Sequence, residues 1–437
     1  MVLNALVSFN SPLQLVLDNY SLVMIEIVSY FIFLMTCVHA SASPRRTQLV
    51  LGGLVAFHTL YFGLGQLDPT LAIMWHGQAL IMLFYSHVPV YAVLLFASLY
   101  YLAYIATLKL HLHLSSSIAA VGLLTLALVF PAELVGSKLL WWTWHDTDET
   151  LDDRFLNVPL AALASHAFSA SSFYLLLHLL RESDCRFVFS RSQIHILCRY
   201  LTFGLEFQPA NATNEYLGVG GATLLSFPLS TLAFGLTFQL FHGLLDVSTH
   251  TVLAALIVVA TLWVWSSDRR GGDVDKKVVP WQYDGEWHHL WFDHALVQWG
   301  VVYLALMPLL LVVVTPSHMI SLGYHQLLGD CSHVTTYSTL FGTPQSRFTY
   351  LCHLHFDEAY SFCEVPRSQL HVGDPWYKIC GVGYPHGVFP NYLVVCVVVS
   401  VTLLLVLRDI FTLSRPAWIH RLPRAETHTP VKVGEGS

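Results

Sequence analysis

The chain has 437 residues, of which 55% are hydrophobic and 11% charged, and a formal net charge of -7. A soluble chain of this length needs far more polar surface, so the composition excludes an ordinary soluble enzyme and predicts an all-α, multi-pass integral membrane protein. No basic patch points to a nucleic-acid partner. Membrane lipid is the expected neighbour, and 24 His against 21 Lys plus Arg make the chain histidine-rich.

A membrane-spanning helix needs ~20 mostly apolar residues. Ten segments approach this, near 22–40, 48–66, 71–86, 88–108, 116–136, 158–180, 222–245, 250–266, 294–315 and 391–408. Residues 1–20 read as an interfacial lead-in to the first span. The third segment is short, and it and the fourth could be one broken pair around Ser86-His87-Val88-Pro89. The expected organisation is a helical bundle over 1–315, a small cysteine-containing extramembrane cap over 316–390, and a last span with its tail over 391–437.

Lys and Arg favour the cytosolic side of a membrane protein. With ten spans and a cytosolic N-terminus, 14 of them fall in the cytosol and 7 on the other side. Both termini are therefore expected in the cytosol, with Ser43-Pro44-Arg45-Arg46 as the main evidence against. The N-terminus has neither the basic region nor the cleavage site of a signal peptide, so the first span is expected to direct insertion. Loop 316–390 then faces the lumen or the cell exterior. Its Cys331, Cys352, Cys363 and Cys380 predict up to two disulfides, with three connectivities open. Cys185 and Cys198 are expected as plain thiols. The sequons Asn19-Tyr20-Ser21 and Asn211-Ala212-Thr213 are both placed in the cytosol and unmodified.

Ionisable groups inside a membrane are costly and suggest function when they recur. Glu26, His58, His76, His166 and His178 all fall in apolar segments. His242, Asp246 and His250 follow at i, i+4 and i+8, close to one helical face. Imidazole and carboxylate suit a divalent metal such as Zn or Fe. The plain alternative is a polar helix end at the interface.

The stretch from Leu139 to Asp153 reads LLWWTWHDTDETLDD. Trp141, Trp142 and Trp144 read as an interfacial aromatic belt. His145 and Asp146 follow at the membrane mouth, where Asp146 would orient His145 or bind a metal. Asp148-Glu149 and Asp152-Asp153 read as a solvated acidic loop. The cluster from Glu286 to His294 has the pattern HHxxxxH, which lacks the HxxxH and HxxHH boxes of membrane di-iron enzymes. It reads as an interfacial segment anchored by Trp281, Trp287 and Trp291. A Gly-x-Ser-x-Gly elbow, a His-Glu-x-x-His pair and a P-loop are all missing from the sequence.

Two stretches resemble ones in an uncharacterised eukaryotic family of polytopic membrane proteins defined by a domain of unknown function. They are Trp75-His76-Gly77-Gln78 and the run Trp141-Trp142-Thr143-Trp144-His145-Asp146-Thr147-Asp148, with Asp153-Arg154 and Val158-Pro159 following. The resemblance implies a shared fold over most of the chain but brings no activity, substrate or cofactor. It also implies that His76 and His145-Asp146 are to be tested together, although ten spans put them near opposite faces, a conflict between that span map and their partnership.

The leading expectation is a membrane-embedded enzyme acting on a lipid or isoprenoid-like substrate. A divalent metal, Zn or Fe, would be held by His145, His166, His242 and His250, with Asp146 and Asp246 as ligand or general base. The alternative is a transporter or channel for a small solute or proton, its path lined by Glu26, His58, His76 and His166. A third reading is a scaffold or receptor that works through its cap. An enzyme needs its polar groups converging in one pocket, whereas a carrier strings them across the bilayer.

Overall fold

The structure is a computed structural model. It describes residues 6–64, 73–110, 112–148, 150–181, 212–267, 294–330, 332–338, 344–352, 360–363, 373 and 375–412. Among these, nine helices are long and apolar enough to cross a membrane. They are α1 (Pro12–Ser41), α2 (Arg45–Leu64), α3 (Val90–Lys109), α4 (Leu114–Lys138), α5 (Leu160–Arg181), α6 (Ala212–Phe238), α7 (Thr249–Ser266), α8 (Ala295–Val313) and α9 (Phe389–Thr412). The central helix is α3, apolar on every face and buried from Tyr91 to Thr107 save for Leu94, as expected of a helix enclosed by others. At the periphery, Val258, Val259 and Leu262 of α7 and Val394 and Val398 of α9 are exposed and face outward as lipid-contacting residues would.

The first helix is broken near its start, within the stretch expected as a lead-in. Asn19 leaves the helical region (φ -151°, ψ 83°) and breaks α1. Its Oδ1 then accepts from the Leu22 amide at 3.2 Å and the Ser21 hydroxyl at 2.6 Å, which caps the helix that continues. Nδ2 of Asn19 donates to the Leu139 carbonyl at 2.8 Å, and the residue is buried. Burial of Asn19 closes its sequon to glycosylation.

The segment 71–86 is not a helix where it is described. Sixteen residues of helix would reach only about 24 Å, short of the ~30 Å apolar core. Instead β1 (Val7–Phe9), β2 (Met74–His76), β3 (Ile81–Leu83) and β4 (Val88–Pro89) form at this end of the bundle. The strand β3 lies between β1 and β4, with Ser8 opposite Met82 and Leu83 opposite Val88. Phe84, Tyr85 and Ser86 take left-handed backbone conformations (φ 52°, 56° and 67°), which no helix tolerates. Glu26 of α1 ties the loop down: its carboxylate accepts from the amides of Leu80 (2.8 Å) and Ile81 (3.4 Å) and from the Tyr30 hydroxyl (2.5 Å).

Among the described residues nine helices cross the bundle, so residue 6 and residue 412 lie at its opposite ends. Residues 7–9 pair beside the loop after α2, and α9 ends at the far side. The same parity brings Arg45 and Arg46 to the far end, where Arg46 bonds Glu215 at 2.5 Å.

Between α4 and α5 come β5 (Trp142–Trp144), β6 (Arg154–Phe155) and β7 (Val158–Pro159). A cap closes the near end. It contains β8 (Ile320–Tyr324), the hairpin β9 (Val334–Ser338) with β10 (Pro344–Phe348), β11 (Tyr360–Ser361) and β12 (Trp376–Gly381). The sheet order is β11-β12-β8, antiparallel, with Lys378 opposite Leu322. A disulfide joins Cys363 to Cys380, and Cys352 is also disulfide-bonded. Cys331, Cys185, Cys198, Asn211 and residues 286–293 lie outside the described residues.

Candidate functional site

The two stretches with the shared resemblance lie side by side. After α4, Leu140 takes a left-handed turn (φ 61°), and β5 (Trp142–Trp144) runs antiparallel to β2. The register sets Met74 opposite Trp144 and His76 opposite Trp142. The expected separation of His76 from His145-Asp146 on opposite faces is thus corrected, because 73–89 does not cross the bundle. Gly77 bridges Gly323 of the cap, where a Cβ on Gly323 would sit 2.9 Å from the His76 carbonyl oxygen.

The tryptophans are not an interfacial belt. Trp141, Trp142 and Trp144 are all buried. Gly136 makes this possible, since a Cβ there would lie 2.9 Å from the Trp141 ring and closer still to Trp142. Trp141 Nε1 donates to the Ser21 hydroxyl at 3.0 Å. Trp142 Nε1 donates to Oε2 of Glu133 at 3.1 Å.

Glu133 is the centre of the site, and nothing in the sequence reading had singled it out. It is fully buried in α4. Its Oε1 lies 3.2 Å from His166 Nε2 on α5. The other imidazole nitrogen, Nδ1, is 2.9 Å from the Tyr100 hydroxyl of α3, and that hydroxyl donates to the His166 carbonyl at 3.1 Å. A Tyr has one proton to give. That one proton faces both Nδ1 and the carbonyl, and the 3.2 Å contact from Nε2 to Oε1 is a hydrogen bond between imidazole and carboxylate.

Aromatic rings wall this pair in. Phe96 stacks on His166 (5.1 Å, 6°), Trp142 packs on Phe96 (6.0 Å), and Tyr100 meets His58 edge-on at 4.5 Å. His58 Nδ1 donates to the Leu54 carbonyl one turn back, at 2.8 Å. That fixes the tautomer and leaves Nε2 a bare lone pair, buried with no partner among the described residues. His76 rests against Phe62 and Trp142 and leaves its Nδ1 likewise unpaired. Burial holds the His76 pKa down at about 3, so the ring is neutral.

His145 lies just outside this cluster, beneath the cap. The Thr147 amide donates to its Nδ1 at 3.2 Å, and its Nε2 faces the Gln326 side-chain amide at 3.2 Å. Gln326 Oε1 accepts from the backbone amide of Asp146, which is itself buried. Burial, then the Arg347 charge, lowers the His145 pKa to about 4. The next acid is no solvated loop residue either: Asp148 is buried and bound to Arg347 of β10 at 2.7 Å.

The trio His242, Asp246 and His250 does not share a helical face. His242 lies in a π-helical turn over Gln239–Leu244, Asp246 breaks the helix with φ 53°, and His250 belongs to α7. Asp246 and His250 are exposed. His250 lies 3.9 Å from Asp153, whose carboxylate accepts from the Thr249 amide at 2.7 Å and so holds the start of α7. Burial alone would raise the Asp153 pKa, but the Thr249 hydrogen bonds and the nearby His250 and His242 bring it below its ordinary value. Among the described residues no three His, Cys, Asp or Glu are grouped to hold a metal ion. His166 and His145 each have both ring nitrogens engaged by protein groups.

A family model described as Domain of unknown function (DUF7802) matches residues 2–412. The chain belongs to the DUF7802 family. That match spans the whole described bundle and cap. No curated protein and no solved structure matches. The site of this DUF7802 protein is therefore read from its own geometry.

Proposed function

We propose that this DUF7802 protein is a membrane-embedded enzyme that acts on a lipid-phase substrate by acid–base chemistry at Glu133 and His166. One observation carries the reading: the buried ionisable groups converge at matching depth. His58, Glu133 and His166 each sit five or six residues from the near end of their helices, about 8–9 Å down. Around them the walls are aromatic and apolar, as a hydrophobic substrate requires.

In this reading the Glu133–His166 pair takes a proton from a hydroxyl or water and returns it to the leaving group. Tyr100 fixes the ring through Nδ1, and Trp142 steadies the carboxylate through Oε2. The lone pair on His58 Nε2 is a second base within the same wall of rings.

We further propose that the cap faces the lumen or exterior and the far end the cytosol. Sixteen of the 21 Lys and Arg lie in segments attached to the far end and five at the cap end, counted on nine spans. This supports a cytosolic C-terminus and moves the N-terminus outside.

A proton-coupled carrier is the second reading. Tyr101, next to Tyr100 on α3, has its hydroxyl 3.0 Å from His39 Nδ1, and the His39 ring lies 4.9 Å from His294. Polar groups thus continue toward the far end. Reconstituted vesicles separate the two readings. An enzyme converts a lipid without moving protons across the membrane, and Glu133→Gln stops the conversion. A carrier dissipates a pH gradient and leaves the lipids unchanged.

A further inference from the structure

The lead-in of α1, the loop after β2 and the cap strand β8 enclose a cleft of about 580 Å3, open mouth included. Asn10, Gln14, Asp18, Gln78, Ser321 and Trp376 line it. None of them belongs to the Glu133–His166 site.

The side-chain amides here have fixed orientations. Asn10 Nδ2 donates to the Ala79 carbonyl at 2.7 Å and to Gln78 Oε1 at 3.1 Å. Gln14 Nε2 donates to the Asp18 carboxylate at 2.8 Å. The Ala79 carbonyl and the carboxylate can only accept, so the oxygens Asn10 Oδ1 and Gln14 Oε1 are left over. Asp18 adds Oδ1. Ser321 is 3% exposed, and its hydroxyl has no partner among the described residues. The lining holds one carboxylate and no Lys, Arg or His.

Such a cleft offers acceptors, one negative charge and an aromatic ring. It suits a hydrogen-bond donor with positive charge. Leu13, Val16 and Leu17 of the lead-in are exposed and apolar beside it, which sets the mouth at the membrane surface. We infer that this cleft binds a primary ammonium group carried by a lipid headgroup. The ammonium donates to Asn10 Oδ1, Gln14 Oε1 and Asp18, while Trp376 covers its carbon stem. This inference stands apart from the proposed chemistry at Glu133 and survives its failure.

The test is native mass spectrometry of the purified full-length protein with phosphatidylethanolamine, phosphatidylcholine and phosphatidylglycerol. Phosphatidylethanolamine is expected to be retained about tenfold better than either of the others, and Asp18→Asn and Gln14→Leu each to weaken that retention about tenfold. Both positions are partly or wholly exposed, so the variants should melt like the parent. Equal retention of phosphatidylcholine, whose nitrogen has no proton to donate, overturns the hydrogen-bonding scheme. Preference for phosphatidylglycerol, or unchanged retention in the Asp18→Asn, Gln14→Leu double variant, overturns the site. Displacement of the lipid by free ethanolamine at the same concentration keeps the amine chemistry and overturns the lipid source.

Discussion

His166 Nε2 lies 3.2 Å from Glu133 Oε1 with both side chains inside the helical bundle. A pair of this kind is costly to bury unless its remaining hydrogen-bonding atoms are satisfied. Here they are, by Tyr100 on one side and Trp142 on the other. The surrounding structure reads as a device for holding that arrangement.

Gly136 is the first test of the device. A methyl group there meets the rings of Trp141 and Trp142. Gly136→Ala should destabilise the protein by about 1–3 kcal/mol through overpacking. Because Trp142 must move, it should also lose its bond to Glu133. Thermal melting followed by tryptophan fluorescence reads both effects. A variant with unchanged melting and unchanged emission contradicts the packing described.

The cap is clamped to the bundle by Asp148 and Arg347 at 2.7 Å, both buried. Removing one partner strands a buried charge. Arg347→Ala is expected to cost about 3–5 kcal/mol, and Asp148→Leu with Arg347→Met far less. Denaturation of the single and double variants checks the difference. A double variant as damaged as the single one speaks against the pair.

Acidification should loosen the same junction. His145 titrates in the folded protein at about 4, and His76 and His325 at about 3, against an ordinary 6.5. Above 6.5 these rings are neutral whether folded or unfolded, so their packing contributes in full. As pH falls from 6.5 toward 4, the unfolded chain takes up protons that the folded chain cannot, and stability is lost. After division by the intrinsic exchange rate, which itself falls in acid, amide protection over 140–148 and 320–326 should be lower at about pH 5 than at about pH 7.5. Equal protection at both values counts against burial of these rings.

Sidedness is checked by tags. An epitope before residue 6 should be reached from the lumen or exterior without permeabilisation, and one after residue 412 only from the cytosol. Two tags on the same side would restore an even number of crossings.

Much of the bundle was legible. Apolar length alone located nine spans, since their length follows from bilayer thickness. The segment 71–86 was misread because an apolar run records burial, not helicity, and β2 and β3 bury their side chains in the same way. That one error moved His76 away from His145. The tryptophans at 141, 142 and 144 were misread for a related reason: composition cannot tell an interfacial ring from a core ring. Glu133 was missed although an acid within an apolar helix is the very signal that drew attention to Glu26. Glu26 turned out to hold a loop, and Glu133 to hold a histidine. Only tertiary contacts separate those roles. The trio at 242, 246 and 250 had the right spacing but lost its common face at the left-handed Asp246.

The most direct measurement is the lipid composition of cells expressing the protein with Glu133→Gln, beside the parent and Glu26→Gln. Glutamine still accepts from Trp142 but cannot share a proton with His166. The account predicts that the parent shifts one lipid class, that Glu133→Gln abolishes the shift at equal protein level and melting temperature, and that any loss in Glu26→Gln follows its loss of stability. A full lipid shift in a folded Glu133→Gln protein would contradict it.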